Sequence, residues 1–250
     1  MIKFFRKIRQ RLLGKSKFGK YLTYAVGEII LVVLGILIAL QVNNANEQRK
    51  ENKFETKILH EIRGNLQIDL EEIREDLGLM DDVNKACSDI KNYILNHDKP
   101  NDSLSYYSSI LRMTPHFSPI NSAYDLLKSR DIGIIKNDSL RNDISYHYGM
   151  LYPYYNKYEE ERSRFHVLHS VPKLLEYFSM VFDEEQSLNY YGLFFEINQK
   201  DYAKLKTDPK FIKLLSAILS ENKIIQVRAK RVENNIIILI ENIDAELKSK

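Results

Sequence analysis

LTYAVGEIILVVLGILIALQV, the stretch from Leu22 to Val42, holds no Lys or Arg and a single acid, Glu28. At about 1.5 Å per residue a helix of this stretch is ~31 Å long, which matches the ~30 Å hydrocarbon core of a bilayer. It reads as one transmembrane helix. The chain then divides into a basic amphipathic cytoplasmic segment (1–21), the membrane helix (22–42) and a large extracytoplasmic domain (43–250).

Charge on the two sides sets the direction. Lys3, Arg6, Lys7, Arg9, Arg11, Lys15, Lys17 and Lys20 precede the helix with no acid among them, whereas residues 43–62 balance four bases with four acids. Positive flanks stay in the cytoplasm, so the N-terminus is expected inside and the domain outside. In a bacterium that is a signal anchor in the inner membrane with a periplasmic domain. A cleaved signal peptide fits less well, because the apolar part is long and no A-x-A site follows it. A mitochondrial presequence is a further alternative, since residues 1–20 are basic and acid-free. Eight positive charges lie in residues 1–20 of a chain whose net charge is +3. The remainder is therefore about −5, which argues against a nucleic-acid-binding domain.

Ile2, Phe5, Ile8 and Leu12 fall near one helical face, a pattern suited to lying on anionic inner-leaflet lipids. The same cations equally serve topology alone. Residues 14–20, GKSKFGK, approximate a phosphate-binding loop, but Tyr21 stands where Ser or Thr should meet magnesium and no strand precedes it. The stretch is a basic linker. Glu28 shares a helix face with Gly35 and Ala39, and the latter two form a small-xxx-small pair. A carboxylate inside a bilayer must be protonated, paired or near water. The face therefore reads as a contact with a second copy or another inner-membrane protein, or else Glu28 snorkels and Gly35 is incidental.

With six Pro and nine Gly in 250 residues, turn material is scarce. Leu59, Leu66, Ile73, Met80, Cys87 and Ile94 recur by sevens, joined by Ile62, Leu70, Leu77, Val83 and Ile90, and predict a coiled-coil-like helix over about 44–96 that continues the membrane helix as a stalk. Asp208-Pro209 is a helix start. Phe211, Ile218, Ile225, Val232 and Leu239, interleaved with Leu215, Ala229, Ile236 and Ile243, then predict a helix over about 209–247. The fold class is all-α, an antiparallel helical bundle closed by that long C-terminal helix. Between the two, NDSL at 101–104 and at 137–140 predicts helix starts with Asp or Ser as cap, 123–128 is helical, the Gly133 region turns, and 140–178 is a helix bent near Pro153. Residues 183–208 read as loop with one short helix.

The blocks GKYL (19–22), YAVGEI (24–29) and LVVLGILIALQVNN (31–44) resemble the N-terminal signature of an uncharacterised family of single-pass bacterial membrane proteins, a domain of unknown function frequent in Bacteroidota. SAYDLLK (122–128) through GIIKN (133–137), and DPKF (208–211), fit the same family, while Ala45 replaces a Trp expected at the membrane exit. The resemblance implies a single membrane pass and no activity.

Chemistry is sparse. Cys87 is the only cysteine and falls in the apolar stripe, so it is expected in the core. His166 and His169 share a face, but no H-E-x-x-H accompanies them and Arg162 and Arg164 lie close by, which disfavours a metal. Asp69, Glu71, Glu72, Glu75 and Asp76 read as the solvated face of a helix. No G-x-S-x-G, dinucleotide fingerprint or CxxC occurs. The expectation is no enzyme, with no catalytic, cofactor-binding or metal residues. An enzyme would need a polar pocket with a carboxylate within reach of His147, His166 or His169. Tyr148, Tyr152, Tyr155 and Tyr158 share a face and read either as bundle core or as a ligand or partner face. The expected function is a membrane-anchored interaction or scaffold module. The alternative is a sensory input subunit signalling through a separate membrane partner, because only about twenty residues would lie inside.

Overall fold

The computed structural model describes residues 18–184 and 192–250. The face of Ile2, Phe5, Ile8 and Leu12, and residues 14–17 of the basic linker, lie outside the described residues. The chain forms two compact units, Met1–Thr56 and Lys57–Lys250.

Helix α1 spans Phe18–Asn96. In the first unit thirteen large apolar side chains from Leu22 to Val42 are exposed. Among the described residues this is the one helix long and apolar enough to cross a membrane, and a helix is the form in which such a segment satisfies its own backbone groups.

The second unit contains the rest of α1, then α2 (Asp102–Ile110), α3 (Ser122–Arg130), a 3-10 turn (Ile132–Ile134), α4 (Asp138–Tyr146), α5 (Tyr152–Phe165), α6 (Val171–Leu174), β1 (Ser179–Phe182), β2 (Leu193–Glu196), α7 (Gln199–Thr207) and α8 (Pro209–Lys248). The seven-residue stripe of α1 is buried from Leu59 to Ile94, with Leu70 only half-buried, and the α8 stripe from Phe211 to Ile243 is buried as well. The two helices run antiparallel. Arg63 pairs with Asp244, Arg74 Nε donates to Glu233 at 2.9 Å, and Asn84 Nδ2 donates to Gln226 Oε1 at 3.0 Å, so partner numbers fall on α8 as they rise on α1.

Asp208 caps α8 by accepting from Lys210 N–H at 2.9 Å. At the two NDSL sites the cap is the Asn, one residue earlier than expected. Asn101 accepts from Ser103 and Leu104, and Asn137 from Ser139 and Leu140. Its amide oxygen reaches both orphan N–H groups of the first turn.

The predicted bend at Pro153 takes a specific form, and it occurs twice. π turns at His147–Leu151 and His166–Ser170 join α4, α5 and α6 without a break. In each the residue just before a proline bonds five residues back, Tyr152 N–H to His147 O and Val171 N–H to His166 O. Pro153 and Pro172 follow directly. A proline has no N–H and its ring crowds the preceding turn; one wider turn absorbs both defects.

The all-α expectation needs one correction. SMVF (179–182) and LFFE (193–196) pair as antiparallel strands with Met180 opposite Phe195. They consist largely of Val and Phe, which suit a pleated surface, and Gly192 at φ 69° turns the chain into β2. Phe195 is buried against Phe178, ring centroids 5.6 Å apart, and its N–H donates to Ser109 Oγ at 2.8 Å.

Candidate functional site

The inward face of α5 is polar. Tyr152, Tyr155, Glu159 and Arg162, continued by His166 on the next turn, recur at steps of three and four and are all buried. No aliphatic residue stands among them, so this face buries only with partners for its polar atoms.

One set of partners is residues 113–121, MTPHFSPIN, which lie against α1 and α5 and form no helix or strand of their own. Such a segment must place its N–H groups somewhere. Pro115 and Pro119 have none, and four of the remaining residues donate to carboxylates. Ile120 N–H donates to Asp69 at 3.0 Å, Ser118 N–H to Glu72 at 3.0 Å and Phe117 N–H to Glu159 at 3.0 Å; His116 N–H donates to Asp76. The Phe117 ring is wedged edge-on between Tyr152 and Tyr155, at 5.3 and 5.8 Å between centroids. Tyr152 OH donates to Asp69 at 2.8 Å and Tyr155 OH to Glu159 at 3.2 Å. The reading of residues 69–76 as a solvated face is thus corrected for three acids: Asp69 is fully buried, and Glu72 and Asp76 are half-buried. Backbone donors from a distant segment supply the solvation that water would have given.

The opposite end of the layer is an amide chain. Arg162 Nη2 donates to Asn222 Oδ1 at 2.9 Å, Asn222 Nδ2 donates to Met80 O at 2.6 Å and to Asn84 Oδ1 at 3.0 Å, and Gln226 Nε2 donates to Asp81 at 2.6 Å. Together these bonds tie α1, α5 and α8.

Burial governs the proton equilibria. It pushes Glu159 up to about 7 and Asp76 up to about 6, in each case against the hydrogen bond from a backbone amide. It pushes His147 down to about 3 and His166 down to about 4, so both rings are neutral near pH 7. His166 Nε2 lies 3.1 Å from Arg112 O and therefore carries the proton, since a carbonyl only accepts. His147 packs edge-on against Tyr152 at 4.2 Å.

Of the residues singled out in the sequence, Tyr148 and Tyr152 touch edge-on at 5.4 Å inside the bundle, and the rest are not gathered into one site. Tyr148, Tyr152 and Tyr155 are core and Tyr158 is half-buried, so these four do not form a ligand or partner face. Tyr148 stacks on Tyr124 at 4.7 Å, and Tyr152 and Tyr155 turn their hydroxyls to acids inside the bundle. Cys87 is buried and its thiol is pushed up to about 12. His166 is buried while His169 is exposed. No group of three His, Cys, Asp or Glu with metal-binding geometry occurs among the described residues. In the first unit Gly35 and Ala39 are exposed, and a Cβ added at Gly35 would meet nothing within 4 Å.

A cavity of about 420 Å³ opens over the layer, lined in part by His116, Phe117, Asn156, Glu159, Ser163 and Arg164. Both Glu159 oxygens already accept hydrogen bonds, from Phe117 N–H and from Tyr155 OH. A second cavity, about 920 Å³, lies between α2 and the hairpin with Tyr106, Phe182 and Phe194 on its walls. The sequence singled out neither Glu159 nor Asn222, and it read Asp76 as solvated and Arg162 only as a charge beside His166; the helical spacing of the α5 set was the signal for Glu159 and Arg162. No family model, curated protein or solved structure matches this chain.

Proposed function

We propose that the chain is a single-pass membrane-anchored interaction module. Residues 22–42 cross the bilayer, residues 1–21 rest against anionic lipids on the cytoplasmic side, and the helical domain is the extracytoplasmic, in a bacterium periplasmic, binding part. We extend the proposal to membership of the Bacteroidota family that its N-terminal block resembles. One observation carries the reading: thirteen large apolar side chains from Leu22 to Val42 are exposed, and a contiguous apolar run of this kind marks a membrane or protein contact. The Glu28, Gly35 and Ala39 face is its contact with a second copy or another inner-membrane protein.

Carbonate extraction of membranes and protease treatment of spheroplasts test the anchor and its direction. The chain is expected to stay with the membrane, and the domain to be cleaved from outside. Release by carbonate, or protection of the domain, refutes the reading. Cross-linking in native membranes with Glu28→Gln in parallel tests the helix contact: the cross-linked species is expected to fall in the variant, and an unchanged species assigns Glu28 to snorkelling.

A second reading, a sensory input subunit, is favoured by Glu159 and Asp76. These acids titrate near neutrality while holding the segment 113–121 to the bundle.

A further inference from the structure

The tyrosines that the fold leaves outside share only Tyr158 with the face the sequence grouped. Tyr146, Met150, Tyr154 and Tyr158 follow at steps of four along α4, the first π turn and α5. Tyr146, Met150 and Tyr154 are exposed, and Met150 keeps 58 % of its surface. Across from them on α8, Arg228 lies over the Tyr158 ring at 3.5 Å and donates from Nη1 to Tyr154 OH at 3.0 Å, and Arg231 Nη2 donates to Tyr146 OH at 2.8 Å. Lys223, Ile224, Val227 and Lys230 continue this outward face of α8, and Val227 is 70 % exposed.

We infer that this face, resting on the interaction-module reading, is the docking surface for an acidic amphipathic helix of a partner protein. Three properties select that occupant. Lys223, Arg228, Lys230 and Arg231 place four cations on a domain whose residues beyond 20 sum to about −5. Neither arginine has a carboxylate at ion-pair distance among the described residues; their hydrogen bonds go to tyrosine hydroxyls. Glu161, one turn beyond Tyr158, is the acid that acts on this cluster. Tyrosine and arginine are among the residue types that dominate binding energy at interfaces and methionine is enriched there, and guanidinium forks already held by rings and hydroxyls lose little freedom on meeting a carboxylate. Met150, Ile224 and Val227 between the charges call for an apolar row on the ligand, which a polysaccharide or a bare anion lacks. The antiparallel neighbours α5 and α8, read from Arg162–Asn222 and Tyr154–Arg228, present these side chains together on one outward surface.

The test places a photo-crosslinking amino acid at Met150, Tyr154 or Val227 of the full chain in living cells, with Ile68 and Leu95, exposed elsewhere in the same domain, as control positions. Adducts are sequenced by mass spectrometry. The expected result is one protein trapped at all three positions through a segment rich in Glu or Asp with helical apolar spacing. Its yield should fall about tenfold or more with Arg228→Gln plus Arg231→Gln, and also with Val227→Asp, which leaves both arginines in place and guards against a folding artefact. Adducts at Ile68 or Leu95 alone overturn this surface and leave the interaction reading standing; no protein adduct at any position overturns both. Trapping of lipid, glycan, a second copy of this chain or a basic segment, or a yield unmoved by both variants, overturns the inference.

Discussion

Replacing Glu159 with Gln should flatten the pH dependence of the domain's stability. The side chain is 5 % exposed and burial pushes its carboxyl up to about 7 from 4.5. A raised carboxyl binds its proton more tightly folded than unfolded. Its stabilisation is therefore complete below about pH 4.5 and lost as pH rises through about 7. At 1.36 kcal/mol per unit the loss is about 3 kcal/mol, equal to roughly 6–12 °C in Tm for a domain of this size. Gln keeps an oxygen to accept from Phe117 N–H and an amide to donate to Tyr155 OH, so both contacts survive without the charge, the one to Tyr155 with its direction reversed. Asp76 adds to the shift of Glu159, while its own rise toward about 6 comes first from burial and is present in both proteins. His147 and His166 pull the other way, because their depressed values remove stability as pH falls below the ordinary histidine range. They are present in both proteins and cancel in the difference. The assay is thermal or urea unfolding of both full chains in lipid nanodiscs between about pH 4.5 and about pH 8, followed by far-UV circular dichroism. The stability difference, variant minus wild type, should grow by about 3 kcal/mol from the acid to the alkaline end. Curves that stay parallel within about 1 kcal/mol refute the assignment of Glu159 as a buried, strained acid.

Asp69→Ala leaves the Ile120 N–H and the Tyr152 hydroxyl without their acceptor inside the bundle, and should cost about 2–4 kcal/mol in urea unfolding; a change under about 0.5 kcal/mol contradicts the burial described. Phe117→Ala empties the space between Tyr152 and Tyr155, should destabilise by about 3–5 kcal/mol, and should raise hydrogen exchange at Phe117, Ser118 and Ile120 before the rest of the domain. Cys87, buried and with its thiol pushed up to about 12, should resist maleimide in the native state and react fully in urea; rapid native labelling would show that the α1 stripe opens.

The apolar run from Leu22 to Val42 was legible without a structure, because twenty-one residues with one charge leave few places to be. So were the buried stripes of α1 and α8, whose aliphatic residues at a seven-residue period are core whatever packs on them. The strand pair hid in a short stretch whose two halves gain strand form only from each other and from Phe178. The polar layer was hidden for a deeper reason. Tyr152, Tyr155, Glu159, Arg162 and His166 have helical spacing, yet Glu and Arg by default face water, Tyr and His are found on either side, and Asp69, Glu72 and Asp76 also default to solvent. What put them inside was a demand created in three dimensions. A proline-bearing segment without helix or strand lies against the bundle, its N–H groups need acceptors, and carboxylates from α1 and α5 are the acceptors within reach. Periodicity states which way a side chain points. Only the segment packed against it decides whether that direction is solvent or core, and hence which tyrosines are left to meet a partner.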